Sequence, residues 1–249
     1  MKRTAIGSIV VVLVALPLAA QADTTAQVPP FSQNWSNTGL ITVSDDWSGV
    51  PGITGFRGDA LTGSTGTDPQ SLTLADDSAP VVDVNAQTDP STFISGGLAE
   101  CDGLPDNVVA LQGSGTADAP YLQIYLNCTL KQDVTISYNL RDVDGSADNA
   151  IQQFALHFRV GSSGTWTNVP GAYVADASTG PSLATLVTPV SVMLPSAVNN
   201  QGLVQVRIMT TNAIGNDEFV GIDDISVTAT DIPIAVDDAM WSAVKSLYR

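Results

Sequence analysis

Four segments in the middle of this chain alternate apolar and polar residues, and a period of two confines them to half-buried β-strands. In the segment 121–127, Leu122, Ile124 and Leu126 face one way. Val134, Ile136, Tyr138 and Leu140 repeat the pattern, followed by Phe154, Leu156 and Phe158, and later by Val204, Val206 and Ile208. A helix would scatter these residues around its axis and give no buried face. Less regular strand candidates are 39–43, 71–75, 81–84, 108–112 and 183–194, where Pro189 marks an edge strand or a break. Roughly ten strands divided by turn residues predict an all-β fold, an antiparallel β-sandwich of the jelly-roll kind.

The ends of the chain read differently. Lys2 and Arg3 precede an uncharged apolar run from Ala5 to Leu16, then Pro17 and Ala20-Gln21-Ala22. That order predicts a signal peptide over 1–22 and export of the mature protein, so a secreted, extracellular or cell-surface location. No later stretch approaches ~18 apolar residues, so no membrane span is expected in the mature form. Residues 23–33 read as a lead-in, 34–229 as the β-sandwich domain, and 230–249 as a linker with a C-terminal amphipathic helix. In that helix Trp241, Val244, Leu247 and Tyr248 share one face, with Asp237 and Asp238 at its start and Lys245 and Arg249 towards its end.

Composition narrows the partners. The 249-residue chain carries a formal net charge of −16, and only 14% of its residues are charged. Past the leader the basic residues are Arg57, Lys131, Arg141, Arg159, Arg207, Lys245 and Arg249, too scattered for a basic patch. Nucleic acid is therefore not expected as a partner. The many carboxylates suit Ca²⁺. Cys101 and Cys128 are the only cysteines, and an isolated pair in an oxidising compartment predicts a disulfide.

Several residues are candidates for chemistry. Asp142, Asp144 and Asp148 fall in one turn, Asp142-Val-Asp-Gly-Ser-Ala-Asp148, where alternate carboxylates and a glycine bend suit a Ca²⁺ loop or an acidic turn satisfied by backbone N–H groups. Asp223 and Asp224 interrupt the alternation between Ile222 and Ile225, and a β-bulge there would return both isoleucines to the core. One of the two carboxylates then needs donors or a metal. Tyr121, Gln123, Tyr125 and Asn127 line the non-core side of one strand, and rings beside amides on an open face suit sugar binding; they suit packing as well. His157 is the only histidine and is expected at the surface or rim, with no nucleophile elbow to serve. A retaining glycosidase needs two carboxylates about 5 Å apart, and the sequence does not exclude such a pair.

Three stretches carry a resemblance: Ile41 to Asp59, Asn139 to Asn149, and Phe219-Val-Gly-Ile-Asp-Asp-Ile-Ser226. They resemble the N-terminal β-sandwich accessory module of bacterial secreted nucleases and cell-surface proteins, of the MAM-like or carbohydrate-binding jelly-roll type. The resemblance implies a structural Ca²⁺ bound by a late-strand Asp with residues near the first strand, here Gln33, Asn34 and Asp46. The expected function is a secreted, non-catalytic module that binds a glycan or cell-surface component and is stabilised by calcium. The alternatives are an extracellular polymer-degrading hydrolase or lyase, and a structural or adhesive surface protein docking through its C-terminal helix.

Overall fold

The structure, a computed structural model, describes residues 22–41, 46–59, 61–74, 76, 96–234 and 245. In chain order the strands are β1 (Phe31–Gln33), β2 (Ile53–Phe56), β3 (Gly97–Cys101), β4 (Val108–Gln112), β5 (Tyr121–Leu126), β6 (Lys131–Asp142), β7 (Ala155–Val160), β8 (Thr167–Asn168), β9 (Val187–Met193), β10 (Val204–Met209) and β11 (Val220–Asp231). They form two antiparallel sheets. Sheet one has the order β3-β4-β11-β6-β9, with β1 also paired to β11; sheet two has the order β2-β5-β10-β7-β8. All-β, antiparallel, two-sheet architecture is therefore what the alternation predicted.

The alternating residues do what their period demands. Leu122, Ile124, Leu126, Val134, Ile136, Tyr138, Leu140, Phe154, Leu156, Phe158, Val204, Val206 and Ile208 all join one core between the sheets. Each such side chain, fully buried, contributes roughly 1.5–3 kcal/mol, so this interior is the main source of stability. Trp35 and Trp47 meet edge-to-face in the same core, their ring centres 6.4 Å apart.

β11 carries the bulge that the sequence predicts. Asp223 pairs with Asn139, but the next partners are Ser226 and Ser137, so β11 holds one extra residue. Asp224 absorbs it with φ of 49°. Ile222 and Ile225 are both buried as a result. On its other edge β11 pairs with β4 up to Ile222 and with β1 from Ile225. The Trp35 indole donates to the Ile222 carbonyl across that gap, at 2.7 Å. A second irregularity in the β6–β11 register places the extra residue on β6, at Asp133, which also has positive φ.

Some expectations need correction. β1 lies in the stretch read as a lead-in, and β11 runs through Thr230 and Asp231, read as linker. Ser71 sits in a 3₁₀ turn and not in a strand. The candidate strand at 81–84 and the C-terminal helix lie outside the described residues, apart from Lys245. No disulfide forms: Cys101 and Cys128 are both free and buried. Cys101 belongs to an apolar cluster with Ala99, Val108, Ala110, Val143 and Phe219, while Cys128 sits in the main core. Burial pushes their thiols up to about 12 and about 11.

Asp224 supplies a direct test of the bulge. A left-handed backbone costs a side-chain-bearing residue roughly 1–2 kcal/mol, and valine cannot use the local hydrogen bonding that helps Asp. Asp224→Val is expected to lower unfolding free energy by about that amount, and Asp224→Gly by less than about 1 kcal/mol. Urea denaturation of the pair measures this; equal stability of the two variants would contradict the bulge.

Candidate functional site

The side of sheet two that faces away from the core was expected to be open. It is closed. Tyr121, Gln123, Tyr125, His157, Arg159, Gln205 and Arg207 are all buried. The cover includes residues from 57–76 and Trp166. Leu61 and Leu72 pack on a cluster of Phe56, Ala119, Tyr121 and Met209, where Phe56 stacks on Tyr121 at 4.7 Å. The guanidinium groups of Arg159 and Arg207 lie over the Trp166 ring, 4.3 and 4.4 Å from its centre. Asp76 accepts from Arg159 Nη1 at 2.6 Å and from the Trp166 indole at 2.8 Å. Arg207 Nη2 donates to the Leu72 carbonyl.

Tyr121, Gln123 and Tyr125 therefore present no sugar platform, and Asn127 holds a turn by accepting from the Thr129 N–H. His157 is likewise not at the surface. Its Nδ1 accepts from Arg207 Nε at 3.0 Å, which puts the ring proton on Nε2. Burial, reinforced by the Arg207 charge, pushes its pKa down to about 3. The ring is neutral at about pH 7 and is oriented by a cation, not by the carboxylate that usually orients a general-base histidine.

The opening lies at one end of the sandwich. The last residues of β4, β6 and β10 and the first of β3, β5, β7 and β11 meet there, as the pairs Gly97–Gln112, Val220–Asp142, Met209–Tyr121 and Met209–Ala155 show. Their connecting loops form an open, shallow cleft of about 620 Å³ lined by Gly96, Gln112 to Thr116, Asp148, Asn212 and Gly215 to Asp217. The volume falls in the range of small-ligand sites, roughly 300–1,000 Å³, but the lining is unusually polar. Amides, hydroxyls, backbone and two carboxylates dominate it, and none of the described lining residues is aromatic or basic.

The cleft is held by loop-to-loop hydrogen bonds. Gln112 Nε2 donates to the Asp217 carbonyl at 2.7 Å, and the Ala213 N–H donates to Asp217 Oδ1 at 2.7 Å. Fully buried Gln152 ties the 143–154 loop to the 210–219 loop by donating to Thr210 Oγ1 and the Thr211 carbonyl. Gly113 fits against the backbone of Asn212: a Cβ there would stand 2.4 Å from Asn212 Cα. On the other side of the 211–217 loop a second cleft of about 490 Å³ includes Ile151 and Ile214, which are 60% and 79% exposed.

Electrostatics set this end apart. Burial pushes Asp217 up to about 6. Glu218 is only 2% exposed, and its Oε1 has no hydrogen-bond partner. Burial, then the charges of Asp144, Asp148 and Asp142, push it up to about 8. Asp148, by contrast, is held below the usual carboxylate range, chiefly by the Ser146 hydroxyl.

The expected metal residues divide into two groups. Asp142 accepts from the N–H groups of Asp144 and Thr179, and Asp144 accepts from that of Ser146, so the loop is largely an acidic turn satisfied by backbone donors. Asp148 alone of the three reaches the cleft. Asp223 pairs with Arg141 at 3.0 Å and accepts from the Asp224 N–H. Asp224 accepts from Asn139 Nδ2 and shares a shallow opening of about 330 Å³ with Gln33 and Asn34, which Asp46 does not line. Among the described residues no three His, Cys, Asp or Glu side chains are grouped so as to hold a metal ion. A cation here would need amide and backbone oxygens for most of its ligands.

No protein-family model and no curated protein matches the chain. Solved structures similar to it include the carbohydrate-binding module CBM28, specific for non-crystalline cellulose, at 16% identity and a TM-score of 0.37, over 60% of this chain and 99% of that one. The K3 cleaved adhesin domain of Lys-gingipain from Porphyromonas gingivalis W83 is similar at 12% identity and 0.41, over 80% and 98%. The Stig cyclase FisC from Fischerella sp. TAU is similar at 13% identity and 0.40, over 74% and 87%. The MAM-like and nuclease-accessory resemblance has no counterpart among these three.

The raised carboxylates fix the sign of the pH response. The folded chain retains protons on Asp217 and Glu218 that the unfolded chain has released, so stability is greatest below about pH 4.5 for these groups and falls as pH rises through about 6 and about 8. Wild-type Tm is expected to decline between pH 5 and pH 8.5. Glu218→Gln should flatten that decline and, at pH 8.5, melt about 2–4 °C above wild type, the shift that about 1 kcal/mol gives in a chain of this size. An unchanged slope in calorimetry would contradict the raised titration of the buried Glu218 carboxyl.

Proposed function

We propose that this protein is an exported, non-catalytic β-sandwich module that binds a glycan in the loop-end cleft. The observation that carries the reading is the lining itself. Gln112, Ser114, Thr116, Asn212 and Asn216 line one opening in a fold whose outer sheet-two face is closed. A polyhydroxylated ligand matches such a lining, because every hydroxyl displaced from water finds an amide, hydroxyl or carboxylate partner. Ile151 and Ile214 offer apolar surface beside it for the C–H faces of sugar rings. Export rests on the leader pattern; among the described residues no helix is long and apolar enough to cross a membrane.

Calorimetric titration with a panel of soluble oligosaccharides tests the proposal. At least one should bind, and Asn212→Ala or Asn216→Ala should weaken it at least tenfold, about 1.4 kcal/mol, while Tyr125→Phe leaves it unchanged. Failure of every oligosaccharide to bind would overturn it. Calcium is a secondary proposal, confined to the opening shared by Gln33, Asn34 and Asp224. Adding Ca²⁺ to EDTA-treated protein should raise Tm in wild type and not in Asp224→Asn; no rise in wild type would remove it.

One observation favours a second reading. Asp217 and Asp148 line the same cleft with pKa values pushed apart, the split that an acid and its carboxylate partner use to hydrolyse a glycosidic bond. Release of new reducing ends from a bound oligosaccharide, lost in Asp217→Asn, would convert the binding module into a hydrolase; ligand recovered intact would exclude this.

A further inference from the structure

We infer that the loop-end cleft selects glycans bearing protonated amino groups over neutral or acidic ones. The inference rests on the glycan-binding reading of the same cleft and adds the charge of the ligand. Two carboxylates line the opening, and no basic residue is among its described lining. The Ser146 hydroxyl keeps Asp148 ionised, so a full negative charge stands at the wall. Beside it lies the buried Glu218, whose Oε1 has no partner and which responds to the charges of Asp144, Asp148 and Asp142. With Glu218 protonated below about pH 8, the charge at the wall is that of Asp148, and no basic residue among the described lining offsets it.

The described arginines are engaged elsewhere. Arg57 pairs with Asp59, Arg141 with Asp106 and Asp223, and Arg159 with Asp76, while Arg207 lies over Trp166. Over the whole chain the net charge of −16 steers cations inward and opposes polyanions. A uronate or a sulfated sugar would carry like charge into a cleft whose described lining holds no basic residue to receive it. A neutral sugar would satisfy the amides and hydroxyls and leave Asp148 facing solvent. An amino sugar with its amine free and protonated does both jobs: its hydroxyls meet Gln112, Thr116, Asn212 and Asn216, and its ammonium makes a charge-assisted hydrogen bond to Asp148.

The test compares three oligosaccharide probes of equal length: glucosamine oligomers, their N-acetylated counterparts, and oligogalacturonate. Titrations run at pH 5.5 in low and high salt, with wild type and Asp148→Asn, whose fold is checked by Tm. The glucosamine oligomer is expected to bind wild type at least tenfold more tightly than the N-acetylated one at low salt, with the ratio shrinking at high salt. In Asp148→Asn the ratio should fall below threefold, and oligogalacturonate should bind neither form. Equal affinity for the free-amine and N-acetylated probes, a salt-independent ratio, or binding of oligogalacturonate would overturn the charge selection while leaving the glycan reading standing. Absence of binding by all three would overturn the charge selection, and the glycan reading falls with it only if the whole oligosaccharide panel also fails to bind.

Discussion

Closure of the outer face of sheet two is the constraint on which the rest of this molecule depends. A two-sheet sandwich needs one buried face per sheet, and here sheet two has both buried. The second burial is polar. Two guanidinium groups share one indole ring, an aspartate bridges a guanidinium and that indole, and a backbone carbonyl receives the remaining arginine. Cation–π contact gains strength when water is excluded, and a charge-assisted hydrogen bond is roughly twice as strong as a neutral one. Such an arrangement fixes where Leu72 and Asp76 lie more than it adds to net stability, since burying the charges costs about as much as pairing them returns. The consequence is spatial: the outer face of sheet two is occupied by the chain itself, and the polar opening lies at the loop end.

Sheet one is organised around β11. That strand pairs with β6 along its length and with β4 and then β1 on its other edge. The bulge at Asp224 lets it serve both partners without turning Ile225 out of the core, and the Trp35 indole takes up the carbonyl left between them. The approach to β11 also lines the cleft, because Asn216 and Asp217 lie a few residues before Val220. One strand thus links the left-handed bulge at Asp224 to the Asp217 side of the opening.

The fold was legible where a period of two recurred. The strands at 121–126, 131–142, 155–160 and 204–209 were all visible, and so was the bulge, because Ile222 and Ile225 are spaced three apart and both have to be buried. The short edge strands β1 and β8 were not, since two or three residues carry no period. The predicted platform at Tyr121 to Tyr125 failed for a specific reason. Alternation shows which side of a strand faces the core, but not whether a distant segment such as 57–76 covers the opposite side. His157 was misplaced by the same error. The cleft was hidden because its residues, Gly113-Ser-Gly-Thr116 and Asn212 to Asp217, look like ordinary turns. Only the pairing of Val220 with Leu111 brings the two turns to one end. The disulfide expectation treated compartment as decisive, whereas Cys101 and Cys128 belong to different packed clusters.

A ligand that enters at the loop end must leave the closed face undisturbed, and a ¹⁵N spectrum of the protein titrated with a bound oligosaccharide observes both places at once. The account predicts shifted amides at Gln112 to Thr116 and Asn212 to Asp217, with the Trp166 indole N–H and the amides of Tyr121 to Leu126 unmoved. A shifted Trp166 indole beside silent cleft amides would place the ligand on the sheet face and contradict the central claim.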